Sequence, residues 1–475
     1  MKKTNIFNKT IIFSVILLFP LTAQASSLPP DPNNAALLYY QAFLVVPEPD
    51  YYISQLVHRN TTEKIYEYLK GAKLDPDPEE KIKEIEKSIR DLELKKGISP
   101  DPNEQLSPRE KAFYLGEHFI KEQRIDELYL LKESLEHHKK MRRINPNKVI
   151  REYLNECGQS IALAKAASEI QKCDWGYLFL KQYGSFSTQL MIETRKLGII
   201  LRADAMRLTA DGDYRAALER CLMMRRLTRH LGGARYFNVS TQVDANALKL
   251  IQFILGYMKP DTEILSWLKK QIAIDPLDSE SLPAFIKQNF EHYIWAINIG
   301  GKYFPWLRQQ LADKATNGRQ KKQALDLTNE QLLRLVREPY AEFVDSVLDV
   351  LASDISYKQK YRRIEKLGGE LNEKAKENPA INLAIRHEAG GISGLYGLRV
   401  VHTAHINALK TAIEIYLNKA KTGQLPDVLP DGLPKDPYSG KDFDYKITKD
   451  SFILRCRVKP IGQDEVKQFE FKVKK

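Results

Sequence analysis

Cysteine, strand-forming alternation and long apolar runs are all scarce in this chain, and each scarcity excludes something. Four cysteines, at 157, 173, 221 and 456, among 475 residues are too few for a disulfide framework. Period-2 alternation is nearly missing until about the last 50 residues, which rules out a predominantly β architecture. After residue 25 no stretch approaches the ~20 apolar residues needed to span a bilayer. The best of them, Leu248–Met258, is interrupted by Lys249, Gln252 and Gly256. Motifs of catalysis are missing as well: no G-x-S-x-G elbow, no H-E-x-x-H, no Walker loop and no Cys/His cluster with metal-ligand spacing. The composition, 43% hydrophobic and 28% charged, is that of a globular protein rather than a disordered one.

What is present begins at the N-terminus. Lys2, Lys3 and Lys9 precede the apolar run Ile11–Leu21, and Thr22-Ala23-Gln24-Ala25 places small residues where a signal peptidase cleaves. Residues 1–25 therefore read as a signal peptide, with cleavage expected before Ser26 and no lipid anchor at that point. Export to the periplasm, cell surface or medium follows. The formal charge of +12 falls to about +9 once the leader is lost. A basic exported chain favours a protein or an anionic envelope polymer as partner, and nucleic acid is not expected. The short basic clusters His138–Arg143, Arg319–Lys322 and Lys358–Arg363 read as solvated helix faces.

The body, residues 26–389, has helical periodicity, with a possible internal boundary near 145–175. Pro-Asp-Pro cassettes at 30–32, 76–78 and 100–102, with Ser107-Pro108, read as helix starts, an acidic or hydroxyl cap being followed by proline at the first helical position. Helices are expected over 35–44 (apolar nearly all round and so buried), after Pro78, and over 107–141, 147–171, 186–210, 214–231, 240–258 and 262–272. The capping box Thr328-Asn329-Glu330-Gln331 opens another that reaches Ala352. On a single 147–171 helix, Cys157 and Cys173 stand about 24 Å apart at ~1.5 Å per residue, so they can bridge only across a break. The glycine-dense segment Gly390–Gly397 reads as a joint.

The last segment, 390–475, reads as a small α+β tail: a helix over 403–421 packed on a sheet of two or three antiparallel strands at 442–448, 452–458 and 469–473, the first two joined at Lys449-Asp450. Asp436, Pro437, Tyr438 and Gly440 form a structural turn that returns the chain to the helix stripe Ile406, Leu409, Ile413 and Leu417. As an independent module, the tail is expected to be removable before Gly390 with the body still folded. Trp175 reads as a core anchor at an interhelix turn. For metal, His402 and His405 lie at i and i+3 on one helix, with His387 and Glu388 as further candidate ligands. The pattern favours capping or solvated histidines, and no cofactor is expected.

Three resemblances accompany these patterns. Leu197–Thr209, Asp211-Gly212-Asp213-Tyr214 and Ala216–Leu227 resemble one tetratricopeptide-type hairpin, although no second copy recurs. Residues 403–456, with Gly423-Gln424-Leu425-Pro426 and Asp436-Pro437-Tyr438-Ser439-Gly440, resemble the globular end of type II secretion pseudopilins. The pilin cleavage motif and N-terminal helix are missing, so the resemblance does not imply pilus assembly. Asn33–Tyr40 and Cys173-Asp174-Trp175-Gly176 resemble a group of uncharacterised exported bacterial proteins that join a helical body to such a tail. The leading expectation is a non-enzymatic envelope scaffold or binding module. The alternative is a hydrolase whose site is assembled from distant residues. The sequence leaves the oligomeric state open.

Overall fold

The computed structural model describes residues 33–49, 53–58, 61–72, 79–96, 145–175, 184–231, 237–273, 281–301, 303–385 and 391–474, with Ile125, Leu128 and Tyr129. These residues are mainly helical and end in one three-stranded antiparallel sheet. The chain divides into two compact units: residues 1–46 with 157–475, and residues 47–156. Residues 390–475, read from the sequence as a separate tail, belong to the same unit as most of the body.

In chain order the helices are α1 (Ala35–Leu44), a π-turn (Ser54–His58), α2 (Thr62–Leu69), α3 (Glu79–Lys96), α4 (Pro146–Glu156), α5 (Gly158–Glu169), α6 (Gly184–Asp211) and α7 (Tyr214–His230). There follow α8 (Phe237–Tyr257), α9 (Thr262–Ile272), α10 (Ser281–Gly300), α11 (Tyr303–Asp313), α12 (Gly318–Leu325), α13 (Asn329–Ala352), α14 (Tyr357–Glu377), α15 (Pro379–Ile385) and α16 (Ile392–Thr422). The strands are β1 (Asp444–Ile447), β2 (Ser451–Arg455) and β3 (Gln468–Lys472).

The 47–156 unit packs the π-turn and α2 against α4. Leu56, Val57, Ile65, Tyr68, Ile150 and Tyr153 are among its buried residues, and Asn147 Nδ2 donates to the Leu69 carbonyl at 2.9 Å, satisfying an acceptor at the end of α2.

In the larger unit, local chemistry sets the helix ends. Asn34, rather than Asp31, caps α1: its Oδ1 accepts from Ala36 N at 3.1 Å. Asp31, like the other Pro-Asp-Pro and Ser-Pro cassettes, lies outside the described residues. Gly212, at φ 87°, turns the chain between α6 and α7, and Asp213 caps α7 through Ala216 N. The two helices pack as a hairpin, tied near its turn by Asp204 and Arg220 at 2.7 Å. Thr328 and Gln331 form both bonds of the capping box on α13. A cluster of Phe290, Tyr340, Phe343, Val336, Leu307 and Ile364 knits α10, α11, α13 and α14 together. The basic runs Arg319–Lys322 and Lys358–Arg363 lie on α12 and α14 with their charges outward or half-covered, whereas 138–143 lies outside the described residues.

Two helix expectations change. The 147–171 helix breaks at Cys157, which sits buried in the turn between α4 and α5, and Cys173 lies beyond the end of α5. Cys173, Cys221 and Cys456 are free thiols. Burial pushes all three upward, Cys173 to about 12, so none is reactive near neutral pH. Of the expected joint, Gly390 lies outside the described residues and Gly391 caps α16, while Gly394 and Gly397 lie inside that helix, where Tyr361 of α14 stands at ordinary contact distance, 3.5 Å from where a side chain at Gly397 would begin.

Long α16 is the axis of the unit. It packs on α8, α9 and α14, and Ile406, Leu409, Ile413 and Leu417 are buried with Ala408, Ala412, Ile415 and Tyr416. A helix apolar on nearly every side belongs in a core. Phe452 and Leu454 of β2 and Phe471 of β3 share the inner sheet face, and Phe452 meets Tyr416 edge-on at 5.4 Å. β3 also presses on α8, where a side chain at Gly256 would stand 3.0 Å from Lys472 Cβ.

Candidate functional site

Of the sequence candidates for chemistry, His402 and His405 lie on α16, and the fold gives each a different partner. Asp244 of α8 is fully buried, and so is Arg225 of α7 apart from a trace of surface. Arg225 Nε donates to Asp244 Oδ1 at 2.9 Å, and His402 Nε2 lies 2.6 Å from Asp244 Oδ2. Arg399 Nη1 lies 3.2 Å from His402 Nδ1. A guanidinium only donates, so Nδ1 accepts and the proton on Nε2 faces Asp244. Burial alone would raise the Asp244 carboxyl. The Arg225 charge and the His402 hydrogen bond outweigh it and hold the group below the ordinary carboxylate range.

His405, one turn further along α16, belongs to another network. Its Nε2 lies 3.0 Å from Gln252 Oε1, and its ring stacks on Phe469 of β3 at 5.0 Å. Gln252 Nε2 then donates to the Glu470 carbonyl at 2.7 Å, so one amide joins α8, α16 and the sheet. His402 and His405 thus spend their ring nitrogens on different residues of α8 and do not converge on a shared ligand position. His387 and Glu388 lie outside the described residues. Among the described residues no group of three His, Cys, Asp or Glu side chains is placed to hold a metal ion.

Sequence reasoning missed Asp244, Arg225 and Gln252. A signal for the first was there: Asp244 is the only acidic residue in the 21-residue α8, and Val243, Ala247 and Leu248 around it are buried. A lone carboxylate on an apolar helix face implies a buried partner. Nothing local identifies that partner as a histidine 158 positions away.

The Asp436 turn is a second organised site. Asp436 is fully buried. Its Oδ1 accepts from Tyr438 N at 3.0 Å, and its Oδ2 accepts from Ser439 Oγ at 2.6 Å and Arg457 N at 2.9 Å. Gly440 takes φ 70° and its N–H closes on the Asp436 carbonyl at 2.8 Å. Tyr438 meets Tyr357 of α14 edge-on at 4.9 Å, while Asn407 of α16 donates to the Lys435 carbonyl at 2.8 Å. The turn is therefore pinned to two helices.

Trp175 lies in a third cluster. It is buried, stacks on Tyr39 at 5.6 Å and Phe43 at 6.3 Å, meets Tyr40 edge-on, and donates from Nε1 to the His230 carbonyl at 2.6 Å. Asn34 bridges to the same strand of chain: its Nδ2 donates to the Asp174 carbonyl at 2.7 Å and its Oδ1 accepts from Asp174 N at 2.8 Å. The two sequence stretches around Asn34 and Trp175 thus form one clasp. Trp175→Ala is expected to destabilise the protein by ~3–5 kcal/mol, the cost of an emptied aromatic site. A urea-unfolding midpoint shifted by less than the equivalent of ~1 kcal/mol would contradict the anchor role.

The buried histidines predict acid lability. Burial, then the neighbouring charges of Lys249 and Arg225, push His405 down to about 3 against the pull of Asp244. Burial and Arg229 push His230 down to about 4. The unfolded chain takes up these protons near pH 6.5 and the folded chain does so only below 4. Protonation therefore favours unfolding, and stability falls as pH drops below about 6.5, by ~1.4 kcal/mol per pH unit per histidine. At pH 5 the loss is about 2 kcal/mol for each. Urea midpoints at pH 7.5 and 5.0 check it, and His405→Gln is expected to remove about half of the dependence.

Comparison with known protein families, with curated proteins and with solved structures found no match to this chain.

Proposed function

We propose that the chain is exported and acts in the cell envelope as a non-enzymatic binding module for a protein or an anionic envelope polymer. The observation that carries this reading is the 424–435 loop. Val428 is 75% exposed, more than any other large hydrophobic among the described residues. Pro426, Pro430 and Pro434 stiffen the loop. Its start is fixed by Thr422 Oγ1 on the Gln424 carbonyl at 3.0 Å, its end by Asn407 on Lys435 and by the Asp436 turn. A stiff loop that displays an apolar side chain from a rigid scaffold suits recognition. His402 and His405, committed to holding helices, support the non-enzymatic side. The pseudopilin resemblance of residues 403–456 and the leader-like residues 1–25 support export.

The test is photo-crosslinking from the exposed position 431 of the same loop in cells, with and without Val428→Asp in that chain. The reading expects an adduct to an envelope protein or polymer that Val428→Asp loses while its urea midpoint is unchanged. It also expects the isolated protein to begin at Ser26. No adduct from a folded, exported chain overturns the binding reading. Stoichiometric zinc or iron, lost in the His402→Ala/His405→Ala double variant, would overturn the non-enzymatic one.

A further inference from the structure

The two edges of the sheet are treated differently. On β3 two of the outward carbonyls are capped by helices: Gln252 of α8 donates to Glu470 O, and the Tyr416 hydroxyl of α16 donates to Lys472 O. On β1 the hairpin sets which groups face outward. Thr448 N donates to Ser451 O at 2.8 Å, so 448 and 451 are a hydrogen-bonded pair, and with the register 447↔452 and 445↔454 the pairs alternate from there. The N–H and C=O groups of Tyr445 and Ile447 therefore point away from β2. Among the described residues no backbone or side-chain group bonds them. Asp427 acts electrostatically on the Tyr445 hydroxyl, so the preceding loop lies near, yet its backbone makes no bond to the strand. β1 is exposed, and Ile447 leaves 41% of its surface uncovered at the end of the apolar sheet face.

We propose that the open edge of β1 pairs antiparallel with β1 of a second copy of this chain, joining two three-stranded sheets into one of six strands. Charge selects both the occupant and the register. Outward-facing residues must pair with outward-facing residues, so the closest symmetric registers centre on 445↔445 or on 446↔446. The first sets Asp444 of each copy opposite Lys446 of the other, twice. The second sets Lys446 against Lys446. Opposite charges across strands stabilise and like charges destabilise, so the 445-centred register is the one adopted. Lysine on an edge strand ordinarily guards against pairing, and here a copy of the same strand supplies its counter-charge. Such an interface is small, which makes the dimer a weak one, with Kd on the order of 1–100 µM. The proposal does not depend on the binding reading of the 424–435 loop.

The experiment is sedimentation equilibrium of the purified protein at low salt, with variants chosen to leave the β1–β2 ladder intact. The Ile447 N–H faces outward, so Ile447→Pro removes an edge donor without breaking an internal bond, and an edge strand tolerates proline. It is expected to weaken the dimer at least ~10-fold with an unchanged urea midpoint. Lys446→Asp alone and Asp444→Lys alone should each be monomeric. Mixed one to one, they should form a heterodimer, because every cross-strand pair is then of opposite charge. Asp444 also pairs with Arg457 at 2.8 Å, so the urea midpoint of Asp444→Lys is measured beside it. A wild-type chain that stays monomeric throughout that concentration range overturns the proposal. So does a dimer indifferent to Ile447→Pro, a mixture that fails to associate although both variants are folded, or a β1 edge covered only by a different protein.

Discussion

Ending the chain at residue 389 is expected to abolish cooperative unfolding of the larger unit. Such a truncation removes α16, whose buried Ile406, Leu409, Ile413, Ile415, Tyr416 and Leu417 fill the space between α8, α9 and α14. Full burial of each such side chain is worth about 1.5–3 kcal/mol, and the whole of a domain's stability is about 5–15 kcal/mol. The lost apolar burial alone therefore matches or exceeds what holds the unit together. The truncation also strips His402 from Asp244 and His405 from Gln252. Circular dichroism should still report helix, because local propensity and capping survive, while the urea transition broadens and the near-ultraviolet signal collapses. A sharp transition at the full-length midpoint would show that residues 1–389 fold without α16.

Asp244→Ala is expected to cost ~3–5 kcal/mol, because it leaves the Arg225 guanidinium buried without its counter-charge. The side chains of Arg225 and Asp244 are 4% and 0% exposed, so water cannot replace the lost carboxylate without opening the core. Removing the charge together with its partner should hurt less than removing the aspartate alone. In Arg225→Met/Asp244→Ala the surviving His402 is a neutral donor, and much of the loss is expected to be recovered. Urea unfolding at pH 7.5 measures all three chains, with unchanged slopes as the sign that two-state behaviour holds. A single variant within ~0.5 kcal/mol of the parent would mean that the pair contributes nothing net. An additive double variant would mean that the two residues are not coupled.

Both expectations rest on contacts between residues far apart in sequence, and the division between what was legible and what was not follows that distance. The cap at Thr328, the turn at Gly212, the Lys449-Asp450 hairpin and the Asp436 turn could be read because their hydrogen bonds close within a few residues. The apolar stripe of α16 could be read because its period is that of the helix itself. Trp175 was legible as an anchor, but its partners Tyr39 and His230 were not.

Residue order alone thus determined a mainly helical chain with a small C-terminal sheet, since periodicity, capping and turn chemistry act over one or two helical turns. Only the tertiary structure decided that 390–475 shares a unit with the body, that the helix expected over 147–171 breaks at Cys157, and that Gly394 and Gly397 continue α16 instead of ending it. It also decided that His402 is the partner of Asp244, and His405 of Gln252, rather than two ligands of one ion. Burial and ion pairing are set by what packs against a side chain. Across 158 residues that neighbour is chosen by the closing of the whole core and not by any local pattern.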